Sequence, residues 1–436
     1  MKKVLVITYY WPPSGGSGVQ RWLKMSGYMP QFGYEPHIYT PENPTFDVRD
    51  DSLLDEVNDK VIVIKRKIRE PLRVYQAAFR WFGKNAPKQK DLLSERNNSL
   101  FQRFSTWVRG NYFIPDPRIT WVKPSVRFLT KYIRDNAIDT IISTGPPHSM
   151  HLVALALKKK NEQLKWVADF RDPWSEWDIW NKLKTGEKAR AKNRELESAV
   201  LNIADLVLTI SPYHVRRLKF LGAGKVELIP NGYDQKDFEK NNPQRNDKFT
   251  VRHLGSVDEL RDPRPFIDAA LELIKWLSIE SNEFVIEFYG EVNEKLLEEM
   301  RTHKLLFRYV RFYPPVPHSE VATLYSTSSV LLLVLADTNI AEGNTPGKMY
   351  EYMASRKPII GIGPAKGDAA KILAETKTGV VFERNNSSGI TEELSHYYLD
   401  WKSGRNTTTE GAIGFTRKQL TKKTCALLDQ LQINNL

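Results

Sequence analysis

The fold is decided by Glu342-Gly-Asn-Thr-Pro-Gly-Lys-Met-Tyr-Glu351, which lies between two apolar runs. The first run is Val330-Leu-Leu-Leu-Val-Leu-Ala336, and its length and composition are typical of a fully buried strand in a parallel sheet. The second run, Lys357-Pro-Ile-Ile-Gly-Ile-Gly363, predicts another strand. The stretch therefore predicts a strand, a loop, a helix and a strand in succession.

The start of this helix has residues that suit a nucleotide. Thr345 can serve as N-cap, and Pro346 can take the first helical position without loss of a hydrogen bond. The N–H groups of Gly347 and Lys348 then face the loop and attract phosphate, and Lys348 adds a mobile positive charge. Glu351, within the next turn, is placed to accept hydrogen bonds from a ribose diol. A capped helix with an ordinary buried face and a solvated Glu351 explains the same residues equally well.

Length and cysteine content limit the class of protein. A chain of 436 residues is too long for one hydrophobic core, so we expect two domains. The one cysteine, Cys425, cannot form an intramolecular disulfide, which favours a reducing compartment. The first strand begins at Lys2 with no leader before it, and no apolar run approaches the roughly 18 residues of a membrane span. We therefore expect a cytoplasmic protein.

The positive charge of the chain is concentrated in one segment. The formal charge is +12, but residues 61–134 alone hold 17 Lys and Arg against four acids, and the rest is close to neutral. The same segment holds 12 of the 48 aromatic residues. This basic, aromatic-rich excursion, centred on residues 66–120, favours an anionic membrane surface, and nucleic acid is not expected as a partner. A solvated helical hairpin with an ordinary apolar face is the alternative.

A glycine-rich turn follows the first predicted strand, Lys2–Thr8. It contains Gly15, Gly16, Ser17 and Gly18 directly before a predicted helix. In doubly wound folds such a turn brings backbone N–H groups to a phosphate, although the spacing here is not that of the dinucleotide motif. A merely flexible turn remains an alternative.

Polar residues also follow two later strands of the first half. The strand Ile138–Ser143 runs into a Gly-Pro-Pro turn and His148, and the next strand carries Asp169, Arg171 and Asp172 to the same edge of the sheet. Ligands bind at that edge in such folds. A capping or solvated His148, and a salt-bridge knot of the other three residues, explain the pattern as well as direct chemistry does.

The second half repeats the alternation of strand and helix, which predicts an α/β fold with two domains. We expect an N-terminal domain at residues 1–234, a polar linker at 235–248 and a C-terminal domain at 249–415. Residues 416–436 are expected to form an amphipathic final helix. In the second domain, the strand Phe249–Gly255 leads to a loop with Arg261 and Arg264.

These motifs, in this order, resemble the retaining glycosyltransferases of family 4. The set comprises the glycine-rich loop, His148, Ile229-Pro-Asn-Gly-Tyr-Asp234, the Gly255 strand with Arg261, and the helix from Pro346 to Glu351. The resemblance spans nearly the whole chain. It implies the GT-B architecture, with two Rossmann-like doubly wound domains facing a central cleft, donor held by the second and acceptor by the first. The last helix commonly crosses back to the first domain in that family.

The resemblance also implies roles for particular residues. It places Gly15, Gly16, Ser17 and Gly18 near the donor diphosphate, His148 at the reaction centre, Arg261 on the leaving diphosphate and Glu351 on the ribose. We count Asp172 with His148 and Arg261 as catalytic candidates. The donor-binding candidates are the glycine-rich loop with Arg264, Glu342, Thr345, Pro346, Gly347, Lys348 and Glu351.

Two departures from the family pattern affect the donor site. The usual pair of glutamates is separated by seven residues, whereas Glu342 lies one position too far from Glu351. The usual lysine after the Gly255 strand is an arginine, and Arg264 competes with Arg261 for that role.

The leading hypothesis is a metal-independent, hexosyltransferase-like enzyme of bacterial cell-surface polysaccharide biosynthesis. It would move a sugar from a nucleoside-diphosphate sugar to a glycan or lipid-linked acceptor, without a cofactor, on the inner face of the plasma membrane. A sugar-nucleotide epimerase of the same architecture would turn over donor without acceptor. A non-catalytic basic protein that binds membrane or nucleic acid would turn over nothing.

Overall fold

The computed structural model describes residues 1–45, 48–70, 100–177, 180, 183–239, 245–302 and 306–433. The chain divides into two compact units, one of Met1–Pro230 with Lys418–Leu436 and one of Asn231–Arg417. Each unit is built on one sheet, of seven and six strands, and every strand pairing is parallel. The α/β class predicted from the alternation of apolar runs is confirmed.

The sheet of the first unit has the strand order β3-β2-β1-β4-β5-β6-β7. Its strands are β1 Lys2–Ile7, β2 Tyr34–Pro41, β3 Ile62–Arg66, β4 Thr140–Gly145, β5 Lys165–Phe170, β6 Leu206–Thr209 and β7 Val226–Leu228. The helices between them are α1 Ser17–Tyr28, α2 Leu100–Asn111, α3 Val122–Asp135, α4 Ser149–Lys160, α5 Glu187–Ile203 and α6 Pro212–Phe220. The order reverses between β1 and β4, and a doubly wound sheet opens a crevice at such a point.

The sheet of the second unit has the same winding, β10-β9-β8-β11-β12-β13. Its strands are β8 Phe249–Leu254, β9 Phe284–Tyr289, β10 Val310–Tyr313, β11 Val330–Val334, β12 Ile359–Ile362 and β13 Gly379–Phe382. Its helices are α7 Arg264–Trp276, α8 Glu294–Thr302, α9 Leu306–Tyr309, α10 His318–Ser326, α11 Gly347–Ala354, α12 Asp368–Glu375 and α13 Ser387–Lys402. Here the order reverses between β8 and β11.

Alternate residues of the central strands supply separate cores on the two faces of each sheet. In β1, Leu5 and Ile7 join one cluster of buried side chains, while Val4 and Val6 join the other. Successive side chains of a strand point to opposite faces, so a strand that is apolar throughout must be covered on both. Continuous apolar runs in the sequence therefore mark the centres of both sheets.

The final helix, α14 Arg417–Ile433, packs on the first unit. Its buried side chains, among them Leu420, Cys425 and Leu428, lie in the cluster that contains Val4 and Val6. Asp429 of the helix accepts hydrogen bonds from Lys2 (2.6 Å) and Tyr34 (2.8 Å). The unit boundaries thus fall at 230/231 and 417/418, close to the sequence boundaries of 234 and 416.

The predicted start of the phosphate-binding helix is corrected by one residue. Pro346 is the N-cap and has an extended backbone (φ −65°, ψ 149°), so α11 begins at Gly347. Thr345 precedes the cap, and no side chain caps this helix. The central part of the predicted basic excursion, residues 71–99, lies outside the described residues.

Candidate active site

The glycine-rich loop joins β1 to α1 at the carboxyl edge of the first sheet. Gly16 is the N-cap of α1 with φ 88°, a backbone angle that favours glycine. The N–H of Gly15 donates to the Val48 carbonyl (2.9 Å), so this part of the loop is used in packing. Ser17 and Gly18 open the helix, where the first N–H groups have no intrahelical acceptor. The backbone N–H groups of these two residues therefore form the part of the loop that can bind an anion.

Arg171 holds this loop to the turn after β4. Its buried guanidinium donates to three backbone carbonyls, those of Gly18 (2.9 Å), Gly145 (3.3 Å) and Pro146. The sequence suggested a salt-bridge knot as one explanation of Asp169, Arg171 and Asp172, but within the described residues the hydrogen bonds of Arg171 go to backbone oxygens. Arg171 therefore positions two loops of the site.

Asp169 does form a buried knot. Its carboxylate accepts from Arg21 through two nitrogens (2.8 and 3.1 Å), from the Trp22 indole (2.7 Å) and from Thr144 (2.9 Å). Arg21 also donates to the Ile229 carbonyl (2.9 Å), and both charged side chains are at most 1% exposed. Every oxygen of Asp169 is engaged, so its role is structural. Asp172, the other acid of this strand end, is exposed.

His148 is buried at the start of α4 and stacks on Trp174, with ring centroids 4.8 Å apart. Within the described residues, neither of its ring nitrogens has a hydrogen-bond partner of good geometry. Burial, together with the nearby His151 and Arg171, holds the pKa of His148 well below its usual value, against the Pro173 carbonyl, which raises it. His148 is therefore a neutral imidazole at the switch point of the sheet, with a ring nitrogen that can accept a hydrogen bond.

In the second unit, the N-terminus of α11 is open to a ligand. A Cβ added at Gly347 would meet no atom within 4 Å, so protein packing does not require the glycine there. The predicted mobile charge of Lys348 is corrected, because its ammonium is held in place. It lies 3.2 Å from the Leu254 carbonyl and 3.3 Å from Nε2 of His253, at the carboxyl end of β8.

Glu351 points into a polar cluster formed with α10. Its carboxylate accepts a hydrogen bond from Tyr325 (3.1 Å), and Nε2 of His318 lies 3.9 Å away. Burial alone would raise the pKa of Glu351, but the nearby His318 imidazole and the hydrogen bond from Tyr325 outweigh it and lower the pKa. The carboxylate is ionised at neutral pH, as an acceptor for ribose hydroxyls must be. Sequence reasoning missed both partners, which lie in a helix with no motif.

The two competing arginines of the β8 loop have different surroundings. Arg261 pairs with Asp258 (2.8 Å), and its charge acts on Lys348. Arg264 pairs with Asp262 (2.6 Å) and with Glu299 of α8 (3.1 Å). Two acids therefore engage Arg264, whereas Arg261 is the one whose charge reaches the start of α11.

Arg384, which the sequence analysis did not consider, fixes this loop. Its guanidinium donates to the carbonyls of Leu260 (3.2 Å), Asp262 (3.1 Å) and Leu335 (2.7 Å). The first two flank Arg261, and the third lies just after β11. Arg384 in the second unit thus joins the loops after two neighbouring strands, as Arg171 does in the first.

Glu342, the displaced member of the glutamate pair, lies exposed in a 3₁₀ turn, Ala341–Gly343. Thr345 is buried, and its carbonyl accepts a hydrogen bond from Asn231 (3.4 Å). Over the parts of the chain that the structure covers, no group of three or more His, Cys, Asp or Glu side chains could hold a metal ion. Nor, in those same parts, is any helix long and apolar enough to cross a bilayer.

Two family models match adjacent parts of the chain. The model described as Glycosyltransferase Family 4 matches residues 87–237, and the model described as Glycosyl transferases group 1 matches residues 234–412. Together they span most of the sequence. The chain belongs to the family 4 type of glycosyltransferase. No curated protein matches the sequence of this glycosyltransferase.

Solved structures show the same fold. Sucrose-phosphate synthase from Thermosynechococcus elongatus has a TM-score of 0.65 at 15% identity, with 100% of each chain covered. A glycosyltransferase from Rickettsia africae has a TM-score of 0.63 at 11% identity, covering 99% of this chain and 98% of its own. TarM from S. aureus, in complex with Fondaparinux, alpha-GlcNAc-glycerol and UDP, has a TM-score of 0.58 at 10% identity, covering 100% and 99%. The GT-B class of fold is thereby confirmed for this glycosyltransferase.

Proposed function

We propose that this glycosyltransferase is a retaining enzyme that takes its sugar from a nucleoside-diphosphate sugar. One observation supports this most directly. The open N-terminus of α11 at Gly347, the fixed ammonium of Lys348 and the ionised carboxylate of Glu351 lie within one helical turn of each other. Backbone N–H groups and a cation suit a diphosphate, and a carboxylate suits a ribose diol.

Charge on the leaving group is the main chemical demand of this reaction. As the glycosidic bond to the nucleotide breaks, negative charge develops on a diphosphate oxygen. A fixed guanidinium at Arg261 and the ammonium of Lys348 would stabilise that charge more in the transition state than in the bound donor. These protein groups support a mechanism that needs no divalent metal. The retaining outcome rests on the family resemblance.

The first test is nucleotide binding. We expect one nucleoside diphosphate or its sugar, in a panel that starts with UDP because TarM was solved with it, to raise the melting temperature. Glu351→Ala should weaken binding of that nucleotide by about 1–3 kcal/mol, because hydrogen bonds to a charged group are lost. Titration calorimetry measures the change.

Glu375→Ala, which removes an exposed carboxylate of α12 that is not a donor-binding candidate, is the matched control and should bind as wild type does. Equal affinity for wild type and Glu351→Ala, with melting temperature intact, would remove Glu351 from the donor site. No response to any nucleotide in the panel would overturn the proposed donor class.

We further propose a lipid-linked or glycan acceptor presented at an anionic membrane, on its cytoplasmic face. The described part of the basic segment supports a docking surface on α2. Phe104 and Trp107 of α2 are 61% and 41% exposed, and Tyr112, directly after the helix, is 72% exposed. Neighbouring rings of the three lie 5.7 to 6.2 Å apart. On the same helix, Asn111 accepts from the Gly186 N–H (2.8 Å), which ties α2 to the unit. A fixed helix with exposed aromatic rings in a segment of charge +13 suits an anionic lipid surface.

Vesicle sedimentation tests this surface. We expect the protein to sediment with vesicles that contain phosphatidylglycerol at low salt and to be released by added salt, because Lys and Arg near an anionic surface contribute about 1 kcal/mol each. The triple variant Phe104→Ser/Trp107→Ser/Tyr112→Ser should bind about tenfold more weakly, since the apolar contribution is lost. Trp276→Ser, which removes a 69% exposed tryptophan of the second unit, should bind as wild type does. Equal partition onto neutral and anionic vesicles at low salt contradicts the proposal.

A further inference from the structure

His253 is a buried histidine of β8 that no motif of the sequence singled out. It is fully buried, and its Nδ1 lies 3.0 Å from the Leu332 carbonyl of the neighbouring strand β11. A carbonyl oxygen can only accept, so Nδ1 must carry the ring proton in this hydrogen bond. A neutral imidazole protonated at Nδ1 presents a lone pair at Nε2. The sheet itself therefore determines the tautomer of His253.

That lone pair faces the ammonium of Lys348. Nζ of Lys348 lies 3.3 Å from Nε2 of His253 and 3.2 Å from the Leu254 carbonyl, so two acceptors hold it. A protonated imidazole would repel the ammonium instead. Burial, with the charges of Lys348 and Arg261, keeps the pKa of His253 well below its usual value, although the backbone at Leu332 and Ser256 acts in the opposite direction. His253 thus remains an acceptor across the neutral range.

The backbone leaves room for this contact only because residue 255 is glycine. A Cβ at Gly255 would lie 2.9 Å from Nζ of Lys348, and the residue has φ 135°, where side chains are strained. The ammonium therefore lies against the bare backbone at the end of β8. This is the edge of the sheet, at the point where the strand order reverses between β8 and β11.

We propose that His253 is a positioning residue for the donor diphosphate, because its Nε2 lone pair holds the Lys348 amino group at the carboxyl end of β8 before the donor arrives. The inference rests on the proposed nucleotide donor. In this role, the buried imidazole fixes the end of the Lys348 side chain before the donor binds, although a lysine side chain is otherwise flexible.

Binding of a diphosphate should change the protonation of Lys348 by an amount that can be measured. Burial and the charge of Arg261 lower the pKa of Lys348 to about 7, against Asp258 and Glu351, which raise it. A bound diphosphate adds negative charge and favours the protonated amine, so the pKa of Lys348 rises on binding. Affinity is then highest below pH 7 and falls by about tenfold for each pH unit above it, until the pKa of the complex is reached.

The experiment is titration calorimetry with UDP at pH 8.0, in two buffers of different ionisation enthalpy. Wild type is expected to take up close to one proton for each UDP bound, because a free amine of pKa about 7 is about 90% neutral at this pH. The terminal phosphate, with a pKa of about 6, is already ionised and contributes little. Lys348→Arg should show no uptake, because a guanidinium stays protonated.

Two substitutions separate positioning from a purely structural role. In His253→Gln, the amide oxygen can occupy the place of Nε2 and accept from Lys348. In His253→Asn, the amide nitrogen can occupy the place of Nδ1 and keep the bond to Leu332, but the acceptor for Lys348 is lost. We expect His253→Asn to bind UDP about tenfold more weakly at pH 7 and His253→Gln to regain most of that affinity.

The outcomes are distinct. If His253→Asn binds as wild type does while His253→Gln is impaired, the bond to Leu332 alone matters and the positioning role is overturned, with the donor site intact. Wild-type binding without proton uptake at pH 8.0 contradicts the neutral amine assigned to Lys348 in the free protein. If no nucleoside diphosphate binds wild type at all, the proposed donor class fails, and this inference fails with it.

Discussion

Arg261→Ala is expected to lower turnover by about 10²–10³-fold while it weakens donor binding by only a few-fold. A loss of turnover of this size is typical when one fixed group that stabilises charge on an oxygen atom in the transition state is removed. The asymmetry follows because the charge that Arg261 meets develops as the leaving group departs. Steady-state kinetics with the donor identified by thermal shift, together with titration of the nucleoside diphosphate, measure the two effects separately.

Arg264→Ala is the matched control for this experiment. Arg264 is engaged by Asp262 and Glu299, whereas Arg261 pairs with Asp258. Turnover of the Arg264 variant should remain within a few-fold of wild type. If Arg264→Ala loses turnover and Arg261→Ala does not, the assignment of the two arginines is reversed.

Arg21→Ala is expected to destabilise the first unit by about 3–5 kcal/mol. The substitution leaves the carboxylate of Asp169 buried without its counter-ion, and this is the cost of breaking a buried pair by removing one partner. Asp169 is 0% exposed and Arg21 is 1% exposed, so water cannot replace the lost contact without opening the unit. The variant is predicted to unfold the first unit at lower denaturant concentration than wild type.

Hydrogen exchange followed by mass spectrometry can locate the effect. The free energy of exchange of amides in β1 and β5 should fall by about 3–5 kcal/mol. That of amides in β8 and β11 of the second unit should not change. Lys192→Ala, which removes an exposed ion pair with Glu195 on α5, should change protection by no more than about 1 kcal/mol. Loss of protection in both units alike would show that the Arg21 pair is not a local anchor of the first.

Sequence reasoning located most strands because burial on both faces leaves continuous apolar runs. The run predicted from Val330 to Ala336 forms β11 at Val330–Val334, and the strand predicted from Phe249 to Gly255 forms β8 at Phe249–Leu254. It also found Pro346 and Gly347 at the start of a helix, because backbone preference there is local. The error of one residue at Pro346 arose because its extended backbone places it at the cap.

The contacts that the sequence could not predict join residues that are distant in the chain. His253 and Lys348 are 95 positions apart, and Arg21 and Asp169 are 148 apart. Arg171 and Arg384 donate hydrogen bonds to backbone carbonyl groups, which every residue possesses. The sequence therefore cannot indicate which residues they contact. Their roles depend on which strands are neighbours in the sheet.

By itself, the sequence determined the alternation of strand and helix in two α/β domains, because apolar periodicity and glycine or proline preferences act over a few residues. The family followed from the resemblance of its ordered motifs to those of family 4 glycosyltransferases. Only the tertiary structure decided the tautomer of His253, the fixed position of the Lys348 ammonium and the different pairing of Arg261 and Arg264. These properties depend on burial and on hydrogen-bond geometry between residues distant in the chain, and both exist only once the strand order β8 to β11 has formed.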